Sequence, residues 1–190
     1  QLPFWSLVVF YSWKIYNDKK IKLLDCFLIG LYGAIGFLSK YLFIYLLISI
    51  ALLFIYLIYH KKTKKIDFKY FIILEVFVVL LVPHIIWLFN NDFVTITYGL
   101  KRAGLETTGI INHIKFPIIF LLKQIGLLIP FSILLWLLIK KLKFKVDLND
   151  QKLIFLIFIN FVPIILILLT SFLTGSEIRT MWMTPFYLFF

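Results

Sequence analysis

At 190 residues, 63% of them hydrophobic, and with a mean hydropathy of +1.02, the chain carries more Phe, Leu and Ile than a water-soluble domain of that size can cover. Most of its formal charge of +11 sits in three short lysine clusters rather than in a basic patch interleaved with exposed aromatics, which excludes nucleic acid as the partner. The single Cys26 excludes an internal disulfide and a thiolate metal pair, and it reads as a packed structural thiol. What remains is an all-α, polytopic bundle of transmembrane helices, with about seven apolar stretches threading one integral-membrane domain over residues 1–190.

The first stretch, Leu2 to Trp13, has about 12 residues where a span takes about 20. The last, Trp182 to Phe190, stops inside an aromatic run. Neither end carries a charged segment followed by a cleavage site, so the chain reads as an internal piece of a longer protein with its first and last spans truncated. Leu23 to Tyr59 is one apolar run of 37 residues, interrupted at Asp25, Ser39 and Lys40. As a single helix it would reach about 55 Å against a core of about 30 Å, so it must turn, and Ser39-Lys40 is where a charge needs water. That gives Leu23–Leu38 and a return over Tyr41–Tyr59. Gly30 with Ala34 forms a small-xxx-small pair that lets two helix backbones approach.

The fourth stretch, Tyr70 to Asn90, holds Glu75, Pro83 and His84; Pro83 should kink it. Glu75 is an intramembrane carboxylate with two readings, a functional group or one that snorkels toward a lysine. His84 is either a buried hydrogen-bond partner or the lining of a cavity. The fifth stretch, Pro117 to Ile139, carries Lys123, Gln124 and Pro130. The sixth, Leu153 to Leu173, is apolar except for Asn160 and is kinked at Pro163. Lysines follow alternate stretches: Lys14, Lys19, Lys20 and Lys22; then Lys61 to Lys65 and Lys69; then Lys140, Lys141, Lys143 and Lys145. Threaded alternately, all three clusters fall on one side, which the positive-inside bias makes the cytoplasm. Cytoplasmic loops are then expected near 14–22, 60–69 and 140–152, and outer loops near 39–40, 90–116 and 174–181. An impermeant thiol reagent should reach positions 97 and 176 but not 63 or 148.

The outer loops hold the polar chemistry. In the longest, Phe93 to Leu105 reads as a short interfacial helix with Phe93, Ile96, Leu100 and Ala103 toward lipid. Lys101, Arg102 and, in the next loop, Arg179 run against the positive-inside trend, as does Lys40. Phosphate recognition would account for them, since Lys and Arg donate charge-assisted hydrogen bonds to its oxygens; a solvated surface loop is the plainer reading. Asp92 would orient Arg102 or a sugar hydroxyl, or simply cap a helix end. Trp87, Tyr98 and Trp182 suit an interfacial belt or a sugar-stacking face. There is no P-loop, GxSxG, His-Glu-x-x-His or CxxC motif, and no ligand set for a divalent cation is evident.

Four segments, in order, resemble the bacterial dolichyl-phosphate-mannose–protein-mannosyltransferase-like glycosyltransferases, a family 39 type branch of the GT-C superfamily. They are GLYGAIGFLSKYLFIYLL (Gly30 to Leu47), PHIIWLFNNDFVTITYGLKRAG (Pro83 to Gly104), KQIGLLIP (Lys123 to Pro130, with Lys123 in place of the usual glycine) and, more weakly, RTMWMTPFY (Arg179 to Tyr187). The resemblance implies an enzyme of the bacterial cell membrane that moves a sugar from a polyprenyl-phosphate carrier to a glycan, lipid or protein acceptor at the outer face. It also implies a catalytic acidic residue N-terminal to Gln1, so that these residues would supply carrier binding: Lys40, Asp92, Lys101, Arg102, Arg179 and Trp182. The competing class is a transporter or flippase of a lipid-linked or anionic substrate, for which Glu75, Lys123 and the prolines Pro83 and Pro130 are the motive.

Overall fold

The computed structural model describes residues 1–18, 20–61, 67–104, 109–139 and 150–189; the loop residues 62–66, 105–108 (with Glu106) and 140–149, expected above as parts of two lysine clusters and of the long loop, lie outside them. Every regular element among the described residues is helical: α1 Leu2–Asn17, α2 Leu23–Ser39, α3 Ile44–Tyr56, α4 Lys69–Asn90, α5 Val94–Arg102, α6 Asn112–Ile139 and α7 Gln151–Thr174. A 3-10 turn at Tyr41–Phe43 leads into α3, a π turn at Leu57–Lys61 follows it, and a 3-10 helix covers Thr180–Tyr187.

Among the described residues, four segments are long and apolar enough to cross a membrane: Tyr41–Tyr59, Lys69–Asn90, Asn112–Leu138 and Gln151–Thr174. The apolar helix α2 is shorter, at 17 residues, and α1 has 16. The seventh apolar stretch enters the fold as the 3-10 helix, with Pro185 inside it. One boundary moves relative to expectation. The helix expected from Pro117 begins at Asn112, which shortens the long loop expected between α4 and α6. Pro117 can sit there because near a helix start it removes one donor only, the one that would reach the His113 carbonyl. Pro83, Pro130 and Pro163 are all internal to helices that continue through them.

The chain alternates direction, so helix termini gather at two ends. At one end Lys14 pairs with Asp25 at 2.8 Å, the Tyr16 hydroxyl donates to the Gln151 carbonyl at 2.9 Å, and Lys69 Nζ donates to the Ile21 carbonyl at 3.0 Å. Those contacts join the end of α1 to the starts of α2, α4 and α7. At the other end His113 Nδ1 lies 2.8 Å from the Phe172 carbonyl, joining the start of α6 to the end of α7.

Between the ends, α2 is packed between α1 and α4, while α3 and α6 both lie against α7. Gly30 is what allows the α2–α4 contact: an added Cβ would stand 2.8 Å from the Ile73 carbonyl oxygen and 2.9 Å from Val76 Cβ. The core centres on Trp5, 1% exposed, whose ring meets Phe43 edge-on at 5.4 Å and Phe186 at 4.8 Å. Those three aromatics tie α1, the Tyr41–Phe43 turn and the C-terminal 3-10 helix into one unit. By contrast, α6 from Ile129 to Leu138 is exposed on every side.

Candidate functional site

The polar residues of the second end are built around the turn between α2 and α3. At Gly36 an added Cβ would come within 2.5 Å of the Phe43 ring, so only glycine lets the turn fold this tightly. Lys40 then takes an extended conformation (φ −168°), and its N–H bonds the carbonyls of Gly36 and Phe37 at 3.2 and 3.1 Å. The Lys40 side chain is half-buried, and its ammonium has no hydrogen-bond or ion-pair partner among the described residues. Burial without a compensating anion pushes its pKa below the usual lysine value.

Tyr41 organises what surrounds Lys40. Its hydroxyl lies 2.8 Å from His84 Nε2 on α4 and 2.7 Å from Thr95 Oγ1 on α5. His84 in turn stacks on Trp87, with centroids 5.8 Å apart and planes 14° from parallel. His84 is therefore a hydrogen-bond partner, one of the two roles its sequence position allowed. Trp87 is held by that stack near the end of α4.

The joint between α4 and α5 is made by Asp92 and Phe93, two consecutive non-glycine residues with positive φ (49° and 54°). Left-handed backbone costs such residues roughly 1 kcal/mol or more each, so surrounding contacts must hold it. Those contacts are the Phe93 N–H on the Leu88 carbonyl at 2.9 Å and the Asn91 side-chain amide on the Trp87 carbonyl at 2.8 Å. Asn91, rather than Asp92, thus caps α4 with its side chain. Asp92 is exposed and meets neither Arg102 nor any other described side chain.

Within α5, Thr95, Tyr98 and Arg102 follow at spacings of three and four and so share one face. Because Thr95 binds Tyr41, that face is turned toward the Lys40 turn. Arg102 Nη1 approaches the Tyr98 hydroxyl at 3.4 Å, a weak hydrogen bond that leaves the guanidinium largely unengaged. Lys101 is exposed on a different face of the helix. Nothing on α5 is buried; Phe93, Ile96 and Leu100 are open, as an interfacial helix would have them, whereas Ala103 is half-buried.

The second polar segment reaches the same place. The Glu177 N–H donates to the Ala103 carbonyl at 2.9 Å, so the chain beyond α7 crosses the end of α5 beside Arg102. Ser171 Oγ bonds the Ser176 carbonyl at 2.7 Å and Thr174 Oγ1 meets Ser176 Oγ at 2.8 Å, which fixes that crossing. Ser176 is consequently 5% exposed, while Glu177 and Arg179 face outward. Trp182 turns inward and packs against the core cluster. The structure thus groups Lys40 with Arg102 through Tyr41 and Thr95, and Arg102 with the Arg179 segment through Ala103. Asp92 makes no side-chain hydrogen bond to that group, and Trp182, whose main-chain N–H donates to the Arg179 carbonyl at 3.0 Å, packs its ring against the core.

Beneath the Lys40 turn, α2, α3 and α4 enclose a laterally open apolar groove of about 520 Å³. Ile44, Leu47 and Phe77 line its upper part; Phe54, Tyr70 and Asp67 line its far end. Tyr41 and Thr95 were not anticipated as site residues. The only signal for them was their place beside Lys40 and on the face of Arg102. Among the described residues no three His, Cys, Asp or Glu side chains gather as a metal's ligands would.

No curated protein and no solved structure matches the chain. A family model does, over residues 1–87, from α1 to the last turn of α4, and with it the glycine-rich helix and Lys40 turn of Gly30 to Leu47. That family is described as dolichyl-phosphate-mannose-protein mannosyltransferase, and the match, together with the polytopic helical fold, supports an integral-membrane glycosyltransferase of the GT-C type.

Proposed function

We propose that the chain forms the carrier-binding part of a glycosyltransferase that takes a sugar from a polyprenyl-phosphate and passes it to a glycan, lipid or protein acceptor at the outer face of a bacterial cell membrane. The observation that carries this reading is Lys40, a half-buried cation with no described carboxylate partner, four residues before Ile44, where the lining of a laterally open apolar groove begins. A prenyl phosphate has the matching shape: an apolar tail for the groove and a charged head for the cation. Arg102 extends the cationic surface along α5, and Arg179 flanks it. The acceptor has no residues assigned to it, and the acid–base chemistry belongs to a carboxylate outside this set.

Donor titration of the full-length enzyme tests this assignment. Arg102→Ala should raise the apparent donor KM by about tenfold or more, as loss of a charge-assisted hydrogen bond does. Arg102→Lys should recover only part of it, because an ammonium cannot reproduce the planar fork. An unchanged KM in both variants would leave α5 as mere surface.

Sidedness rests on the lysine clusters and is tested independently. In a Cys26→Ser background, single cysteines at positions 97 and 177 of intact cells should react with an impermeant maleimide, and those at 63 and 148 should not. Position 177 replaces 176 because Ser176 is buried. Reaction at 63 from outside would invert the arrangement.

A further inference from the structure

Lys123 is the most anomalous charge in the molecule. It sits inside a helix that qualifies as a membrane span, among exposed Leu121, Leu122, Ile125 and Leu127, and no described residue pairs with it. The 28 residues of α6 make about 42 Å of helix, with its midpoint between residues 125 and 126. A hydrocarbon core of about 30 Å centred there puts Lys123 roughly 4 Å from the mid-plane and about 11 Å from the nearer boundary. That is farther than a four-carbon stem can snorkel. A lysine at such depth costs a few kcal/mol against lipid unless a partner meets it.

The surface around it is shaped for a helix. Phe120 and Gln124 turn inward, 2% and 4% exposed, so the bundle covers one side of α6 and leaves the adjoining face open. Lys123, Gly126 and Pro130, spaced by three and four, line a common outward stripe, and all three are exposed. At Gly126 an added Cβ would meet nothing within 4 Å, unlike the crowded Gly30 and Gly36. Inside the fold, the crowded glycine of α2 is where α4 comes close; the open one on α6 offers the same approach to a helix not yet there.

We propose that the Lys123–Gly126–Pro130 stripe of α6 docks a further membrane helix carrying a carboxylate at the level of Lys123. The charge selects the partner's chemistry, and the glycine sets the distance. In hydrocarbon such a pair replaces two costly isolated charges with one compact contact, so the carboxylate is required and a merely apolar helix will not substitute. Glu75 of the same chain is not that partner, because the two residues remain unpaired and α4 and α6 are not neighbours.

The test uses the purified chain, donor-labelled, in phosphatidylcholine vesicles. The probe is an acceptor-labelled leucine-based transmembrane peptide with one central Glu; its Gln counterpart is the control. Energy transfer with the Glu peptide should saturate at a mole fraction roughly tenfold lower than with the Gln peptide. Lys123→Met should abolish that difference, Lys123→Arg should retain it, and Gly126→Leu should remove it by holding the helices apart. Because both side chains are exposed, circular dichroism of the variants should match the parent. Equal transfer for the two peptides, or a preference that survives Lys123→Met, overturns the proposal. So does self-association of the chain that Glu75→Gln abolishes, since that would give the stripe to a second copy.

Discussion

Replacing Lys40 with alanine in the full-length enzyme should raise the apparent donor KM by about 10–100-fold, the range expected for a charged hydrogen bond worth roughly 1.5–3 kcal/mol. It should leave thermal stability unchanged or slightly improved. The two expectations share a cause. Lys40 has lost water without gaining an anion, so in the empty protein its charge is a liability, and only a bound phosphate makes it useful. The pH dependence follows with a definite sign. Burial lowers the folded-state pKa of Lys40, so the ammonium is lost earlier than an ordinary lysine as pH rises. Donor affinity should therefore begin to fall below the usual lysine range, and Lys40→Arg, which stays charged, should shift that loss to higher pH. If Lys40→Ala leaves KM untouched at limiting donor, Lys40 is a solvated turn residue and the groove beneath it has no charged head to serve.

The largest effect on stability is expected at Gly30. A methyl group there would stand 2.8 Å from a main-chain oxygen of α4, which cannot swing aside as a side-chain tip can. Gly30→Ala should cost about 1–3 kcal/mol through the helix shift it forces, and Gly30→Leu more, measured by unfolding in mixed micelles. The same change supplies its own control elsewhere in the chain. At Gly99 on α5 an added Cβ meets nothing, so Gly99→Ala should be neutral or gain up to about 1 kcal/mol from helix propensity. A gain at Gly30 like that at Gly99 would mean that propensity, and not the α2–α4 contact, controls stability.

The helices were legible because their signals are local. Hydrophobic length located α2, α4 and α7 within two residues at each end, and Ser39-Lys40 marked the turn because a charge cannot stay in the middle of an overlong run. The Gly30–Ala34 spacing announced a close helix contact correctly, but it could not name α4 as the neighbour. Lys40 was legible as a cation needing water; its half-buried state was not, since that depends on Tyr41, His84 and Thr95 converging from three elements. The orientation of Trp182 was hidden for the same reason. An aromatic at a span end suits an interfacial belt, and only the packing of the 3-10 helix turns it toward the core. Asp92 looked like a cap because it stands one residue too late: Asn91 takes that role, and the chain has already gone left-handed at Asp92.

The Lys14–Asp25 pair bears on how the chain is made. Asp25 is 2% exposed, and its carboxylate meets the ammonium of the preceding helix at 2.8 Å. Left alone at the start of α2, that carboxylate would resist entry into lipid. Only 11 residues separate the pair, so the two charges can neutralise each other as soon as α1 and α2 form a hairpin. Partition into the bilayer then proceeds two helices at a time at this point in synthesis, and a substitution that unpairs Asp25 would register as failed insertion before any folded protein exists to be assayed.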